Sequence, residues 1–254
     1  MNRNWSTKAQ VLSVQHSGED NRNVTLLTQE KGVIQAVLYG GPKSRLRSLV
    51  SPYHFGTAWL YTDEVRHTTK IADFDVLSYR SEIRENLFKT CAAGLCAELV
   101  SKTHSGTDFS DIWLYTSSFL DGICVVNETE ARTALLRFLW RYLFLLGFQP
   151  DPCRCERCGE NMCAIGAKTK VFYSLHESAF YCSDCSMYYK ENPGFLLGRE
   201  SVAYLKALTT EKPGFVRTIK LSQESYVELQ DFVLHLLTGF LESKLNSLDI
   251  LLRF

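Results

Sequence analysis

Ser81-Glu82-Ile83-Arg84-Glu85 marks the point where the chain changes its hydrophobic period. Before it, apolar residues alternate in short runs broken by turn formers; after it, they return every three or four residues. A hydroxyl followed by carboxylates suits a helix start, where the hydroxyl caps free amides and the acids face the positive end of the dipole. Ile83, Leu87, Cys91, Leu95 and Leu99 then fall on one helical stripe. This predicts an α+β protein, with a β module over residues 1–80 and a helical domain over residues 81–254.

Working back from that point, Thr7 to Val14, Asn23 to Thr28, Gly32 to Tyr39 and Tyr53 to Tyr61 are β-prone, and Arg66 to Asp73 with Asp75 to Tyr79 complete the set. Breaks fall at Ser17-Gly18-Glu19-Asp20-Asn21, Lys31-Gly32, Gly40-Gly41-Pro42 and Thr62-Asp63-Glu64. Five or so short antiparallel strands in this length suit an oligonucleotide/oligosaccharide-binding (OB) barrel, with an SH3-like barrel as the alternative.

Working forward, Phe109 to Ile123 and Glu130 to Leu146 continue the helical period, and Gly147 and Pro150 stop it. Ser201 to Leu208 and Ser222 to Leu245 are helical again. Residues 153–186 form an insertion between helices, with Lys170 to Tyr173 and Ala179 to Tyr181 as short strands.

That insertion carries Cys155-Glu-Arg-Cys158-Gly159 and, after 23 intervening residues, Cys182-Ser-Asp-Cys185. Two residues between thiols let a tight turn aim both sulfurs at one ion, so Cys155, Cys158, Cys182 and Cys185 are the expected ligands of one structural Zn2+. Four thiolates fill the coordination sphere and leave no position for activating water. A disulfide scaffold fits poorly, because the nine cysteines are odd in number and Met1-Asn-Arg-Asn-Trp-Ser has no leader pattern. A thioredoxin-like pair would open a helix, whereas Gln149-Pro150-Asp151-Pro152 ends one. Cys153 and Cys163 remain as alternative ligands. Cys91, Cys96 and Cys124 lie in apolar helical stretches and read as small core residues.

Apolar residues make up 45% and charged residues 22%, a globular mix, and no run of about 18 apolar residues occurs. A cytoplasmic protein without membrane contact is expected. The formal net charge of zero argues against coating nucleic acid by overall charge, so any polyanion site must be a local patch.

Gly40-Gly41-Pro42-Lys43-Ser44-Arg45-Leu46-Arg47-Ser48 is the densest basic segment. Lys43, Arg45 and Arg47 suit phosphate oxygens, and Ser44 and Ser48 add hydroxyl donors. Lys31, Arg66 and Lys70 could help them. Residues 1–80 hold ten Lys or Arg against seven Asp or Glu, so the excess sits largely in this loop. The alternative is a plain solvated loop. Trp5, Tyr39, Tyr53, Phe55, Trp59 and Tyr61 could stack on bases or fill the barrel, and none stands out. No phosphate-binding Gly-x-x-x-x-Gly-Lys loop, Gly-x-Ser-x-Gly elbow or His-Glu-x-x-His pair occurs, and the six histidines are scattered. The pattern is that of a binding protein and not an enzyme.

Taken in order, several segments resemble the RecO family of bacterial recombination mediators. Ser17-Gly18-Glu19-Asp20 leading to Leu26-Leu27-Thr28 resembles its Gly-Glu-x-Asp segment ending in Leu-Leu-Thr. Lys31-Gly32 is similar to its turn in reversed order, and Gly40 to Arg47 to its basic Lys-Ser-Arg-Leu segment, continued by Leu49 to Pro52. Leu136 to Phe138 and Leu143 to Pro150 resemble its Leu-Gly-x-x-Pro helix end, directly before Cys-x-x-Cys-Gly. Lys244-Leu245-Asn246-Ser247 resembles its Lys-x-x-Ser. The resemblance implies an N-terminal OB-fold, a helical domain and, where the cysteines are kept, a zinc module. It further implies binding of single- and double-stranded DNA, strand annealing, and action with RecR to load RecA onto strands coated by single-stranded DNA-binding protein, whose C-terminal tail is engaged. Two departures, the neutral net charge and Pro42, imply weaker or more partner-dependent DNA binding. A protein-docking scaffold with structural zinc and no direct DNA contact is the other expectation.

Overall fold

Five strands in the first part of the chain bury side chains in one barrel, with alternation along β4 and an unbroken buried run, Val24 to Thr28, in β2. The computed structural model describes residues 3–18, 20–41, 44–103, 109–164, 170–189, 191–241 and 244–251. Strands β1 (Asn4–Ser17), β2 (Asn21–Thr28), β3 (Gly32–Leu38), β4 (Phe55–Asp63) and β5 (Thr68–Ser78) close in the order β1-β2-β3-β5-β4. All neighbours are antiparallel except β3 and β5, which meet in parallel where Val37 faces Lys70. This is a five-stranded OB-type barrel.

Strand β1 makes closure possible by serving two partners. Residues 4–10 pair with β4 and residues 9–17 with β2, with a register shift between Val11 and Ser13. Such an irregularity bends the strand and increases its twist. Val11, Val24, Leu26, Leu38, Leu60 and Phe74 fill the interior, and partly buried Leu46 and Trp5 pack against it. Each large side chain buried there contributes roughly 1.5–3 kcal/mol. The two runs expected at Arg66 to Asp73 and Asp75 to Tyr79 are a single strand, β5. Its apparent break is a register shift against β4 near Trp59, where the Asp73 carboxylate accepts the Phe74 amide at 2.8 Å.

Helices α2 (Leu87–Thr103), α3 (Phe109–Cys124), the first part of α4 (Glu128–Leu145) and α8 (Asn246–Leu251) belong to the same compact unit, residues 1–135 and 245–254. The helix expected from Ser81 begins later. Ser81–Ile83 is a 3-10 turn, and α2 starts after Asn86, whose Oδ1 accepts the Lys89 amide at 3.0 Å. The reason lies in Arg80, held in the left-handed region at φ 46° with its side chain buried. Its Nε donates to Asp121 of α3 at 2.8 Å, and its Nη1 donates to Gln10 Oε1 at 2.9 Å and the Tyr53 carbonyl at 3.1 Å. Gln10, fully buried on β1, donates in turn to Ser117 of α3 at 2.7 Å. This polar network fastens the helices to the barrel.

The C-terminal helix α8 is secured by Glu98 of α2, which accepts the amides of Asn246 and Ser247 and the Ser247 hydroxyl at 3.0, 2.8 and 2.6 Å. Burial works to raise the Glu98 pKa, but these bonds and the one from Lys102 outweigh it and hold it down to about 2.

The second compact unit, residues 136–244, contains the rest of α4, strands β6 (Lys170–Ser174), β7 (Ala179–Tyr181) and β8 (Gly194–Gly198), and helices α5 (Arg199–Thr210), α6 (Pro213–Val216) and α7 (Gln223–Phe240). The three strands form an antiparallel sheet in the order β7-β6-β8. Phe232 of α7 is its centre, contacting Tyr173, Phe180 and Phe195 at ring separations of 5.0–5.6 Å. Strand β8 was not expected. The helix expected over Ser222 to Leu245 ends at Phe240, with Ser222 capping it through a bond from the Ser225 amide.

Candidate metal centre and nucleic-acid interface

The cysteine module begins where the chain leaves α4. Asp151 Oδ1 accepts the Cys153 amide at 2.9 Å, and a small hairpin follows in which Arg154 pairs with Asn161 and the Cys155 amide donates to the Glu160 carbonyl at 3.0 Å. Gly159, at φ 72°, supplies the left-handed position that closes the first turn, and its amide donates to the Cys155 carbonyl at 2.9 Å. The Glu156 amide donates to the Phe180 carbonyl at 2.9 Å, tying the hairpin to β7. Cys182 follows β7 directly and Cys185 opens a 3-10 turn, with the Ser186 amide on the Cys182 carbonyl at 2.8 Å.

These two turns bring Cys155, Cys158, Cys182 and Cys185 together, with all four Sγ atoms within 4.8 Å of one another. Cys158 and Cys182 are 3.8 Å apart. A regular tetrahedron with arms of about 2.3 Å has edges of about 3.8 Å, so the spacing fits a metal held by four thiolates. The chemistry of the donors agrees. Burial opposes ionisation of Cys155, but amides at Cys158 and Cys182 outweigh it and bring its pKa down to about 7. Burial and neighbouring thiols push Cys182 and Cys185 upward. A dication is the charge that would let all four ionise together.

Cys153 and Cys163, the alternative ligands, are bonded to each other as a disulfide. The sequence argued against a disulfide scaffold and left these two as possible ligands; here they form one local disulfide. The hairpin register sets Cys153 opposite Met162, with Cys163 the next residue on that strand, a closeness that the odd count and the chain length do not reveal. Of the presumed core cysteines, Cys96 is buried, whereas Cys91 and Cys124 are half-buried.

On the barrel, the described end of the basic segment is a short helix where a loop was expected. Lys43 and Pro42 lie outside the described residues. Helix α1 (Arg45–Leu49) follows Ser44, with Leu46 packed on the barrel core, Arg45 exposed and Arg47 half-buried. Ser48 donates to the Arg45 carbonyl at 2.8 Å, so its hydroxyl serves the helix. The Leu49 carbonyl receives His54 Nδ1–H at 2.8 Å, and Arg84 donates to His54 Nε2 at 3.2 Å. Burial lowers the His54 pKa, and this geometry requires the neutral ring. Neither His54 nor Arg80 carries a motif that would single it out in the sequence.

The other expected cations are spread over the barrel. Lys31, exposed in the β2–β3 turn, places Nζ 3.8 Å from the Trp5 ring centre. Lys70 pairs with Tyr61 across β4–β5 and lies 5.0 Å from the Tyr39 ring and 6.0 Å from that of Tyr61. Arg66 is exposed in the β4–β5 turn, where its amide donates to the Asp63 carboxylate at 3.2 Å; that bond leads the causes that lower the Asp63 pKa. Tyr39 and Tyr61 join Lys70 on the outer face, a grouping set by strand register and not by any local pattern.

Comparison with known proteins agrees with this architecture. The recombination protein O N-terminal family model matches residues 1–80, and the C-terminal model matches residues 84–249. The DNA repair protein RecO of Syntrophomonas wolfei is 26% identical over 231 residues, covering 89% of this chain and 87% of its own. Those of Bacillus pumilus and Chlorobium limicola are 28% and 30% identical over 179 and 175 residues, covering 69% and 66% of this chain. The match spans 66% and 65% of their respective lengths, just under two thirds. With both models matched in order along a barrel, helices and a four-cysteine cluster, the chain belongs to the recombination protein O (RecO) family.

Proposed function

We propose that this chain is a non-catalytic DNA-binding mediator of recombinational repair, with the barrel of residues 1–80 as its DNA-binding domain. The observation that carries the reading is on the outside of the barrel, where half-buried Lys70 lies beside the rings of exposed Tyr39 and half-buried Tyr61, and Arg45 on α1 is an exposed cation. Lys43, Arg45 and Arg47, with Ser44 and helped by Lys31, Arg66 and Lys70, grip phosphates with little base preference. Neutralising two strands on one surface lowers their mutual repulsion, which favours annealing.

The family supplies the partners of this reading. They are single- and double-stranded DNA, RecR, the C-terminal tail of single-stranded DNA-binding protein and, indirectly, RecA. Work on the nucleoid would place the protein in the cytoplasm. No helix among the described residues is long and apolar enough to cross a membrane. In residues 81–254, Cys155, Cys158, Cys182 and Cys185 would hold one Zn2+, which supplies a structural cross-link between the module's two turns. Removing it with a chelator should loosen residues 153–186 and leave barrel protection from hydrogen exchange unchanged.

The test is the triple substitution K43A/R45A/R47A. It should weaken single-stranded DNA binding and make its salt dependence shallower by up to about three counterions' worth of slope. Unchanged affinity and slope would show that this surface does not bind DNA. The zero net charge favours a second reading, a docking scaffold whose partners make all DNA contacts; a gel shift of the purified chain at low salt separates the two.

A further inference from the structure

Two cysteines outside the proposed ligand set occupy the same hairpin as two of the ligands. Cys153 and Cys163 are disulfide-bonded with Cα atoms 4.9 Å apart and a sequence separation of 10. Between them, Arg154 pairs with Asn161, the Met162 amide donates to the Cys153 carbonyl at 2.8 Å, and the Cys155 amide donates to the Glu160 carbonyl at 3.0 Å. The disulfide thus closes the open end of a short ladder whose turn carries Cys155 and Cys158. Outside the ladder, the hairpin is tied by the Glu156 amide on the Phe180 carbonyl at 2.9 Å and by the Arg157 guanidinium 3.6 Å from the Tyr188 ring centre. Arg154, Glu156, Arg157, Glu160 and Asn161 are exposed, and only Cys155 and Met162 bury much of themselves. Both bonded cysteines are half-exposed, so small thiols and disulfides can reach them.

We propose that Cys153 and Cys163 form a reversible dithiol–disulfide clasp that governs how tightly the first cysteine turn retains its metal. The inference rests on the reading of the four-cysteine cluster as a metal centre. The bond acts in two ways. It ties up the two thiols that lie nearest the ligands in sequence, leaving four sulfurs and no competitor for the ion. It also removes freedom from the metal-free hairpin, so less order is lost or regained when the ion leaves or enters. Closing a ring of this size corresponds to roughly a tenfold to hundredfold change in an equilibrium constant.

The exchange balances with a low-molecular-weight disulfide such as oxidised glutathione. The two thiols of Cys153 and Cys163 give up two protons and two electrons and form one S–S bond. The small disulfide breaks its own S–S bond, accepts them and leaves as two thiols. A thiol pool runs the same step in reverse, so the clasp opens in a reducing compartment and closes under oxidative load.

The test uses the full chain loaded with Zn2+, poised with either oxidised glutathione or a phosphine reductant. Metal transfer to a chromophoric chelator is timed in each state, metal content is measured by atomic emission, and disulfides are located by peptide mapping. Oxidised protein should show the Cys153–Cys163 linkage and release zinc at least about tenfold more slowly than reduced protein. The C153S/C163S variant should release at the reduced rate under both conditions. Equal release rates in a chain that carries metal, or a map in which Cys153 and Cys163 are not joined to each other, would overturn the clasp alone. A chain that takes up no metal would overturn the metal centre and the clasp's retention role with it, even if the linkage is mapped. Because oxidised and reduced wild type are compared directly, the outcome does not depend on the variant folding.

Discussion

Replacing Arg80 by Met tests the network that joins barrel to helices. The side chain is 3% exposed as a residue, and its loss leaves the fully buried Gln10 Oε1 and the Tyr53 carbonyl without their donor. Each orphaned buried acceptor costs about 1–3 kcal/mol. The third partner, Asp121, is 60% exposed and recovers water, so the ion pair itself is worth less than about 1 kcal/mol. Nη2 of Arg80 has no partner among the described residues, so its removal offsets about 1 kcal/mol of the loss. The expected destabilisation is therefore about 2–4 kcal/mol for Arg80→Met and under about 1 kcal/mol for Asp121→Asn. Adding Gln10→Met to Arg80→Met should recover roughly 1 kcal/mol, because paired apolar replacements leave fewer unsatisfied groups. Hydrogen exchange read on peptides of β1 and β4 measures the opening of this unit by itself. If Asp121→Asn costs as much as Arg80→Met, the exposed ion pair and not the buried bonding is what matters, and the reasoning fails.

Three further perturbations test other parts of the fold. Gly56→Ala drives a Cβ into the Asp75 backbone carbonyl between β4 and β5, so barrel stability should fall by several kcal/mol, roughly the cost of severe core overpacking; a thermal melt within about 1 °C of wild type would contradict this. Glu98 is held near pKa 2 in the fold against an ordinary 4.5, so its contribution is full above pH 4.5 and is lost as pH falls toward 2; on the order of 2–3 kcal/mol should vanish over that window in wild type and be absent from Glu98→Gln. The folded His54 pKa lies below 6.5, so stability from the neutral ring rises with pH up to about 6.5 and is lost on acidification below it. A proton NMR titration of its ring should give a midpoint under 6.5, and a midpoint above that value would mean the Arg84-to-Nε2 bond does not form.

What could be read in the sequence was what short-range chemistry decides. The alternation before Ser81 reflects strands with one buried face, and the spacing Cys-x-x-Cys brings each pair of sulfurs to one side of a tight turn. Lys170 to Tyr173 and Ala179 to Tyr181 are strands because their aromatic and β-branched residues face Phe232. The misread positions depend on distant partners. Ser81-Glu82-Ile83 has the local chemistry of a helix start, yet Arg80 is held left-handed by a residue 70 positions away, and the helix waits for Asn86. Arg45 to Leu49 becomes helical because Leu46 reaches the barrel core, and Gly194 to Gly198 becomes a strand because β6 offers it an edge. The grouping of Tyr39, Tyr61 and Lys70 depends on register across three strands, which no stretch of one strand contains.

The return of α8 to Glu98 has a consequence for the order of assembly. Ser247 follows Glu98 by 149 positions, and residues 136–244 intervene as a compact unit of their own. On a ribosome the barrel and α2 emerge first, and the inserted unit is next to have all its parts. Glu98 stays without its α8 partners until Asn246 and Ser247 have left the exit tunnel. The carboxylate that fixes α8 is thus a latch that closes late, on a part of the fold made 149 positions before its partner. A nascent chain stalled at residue 244 should show a barrel with a loose helical layer, and one released after residue 251 should show it sealed.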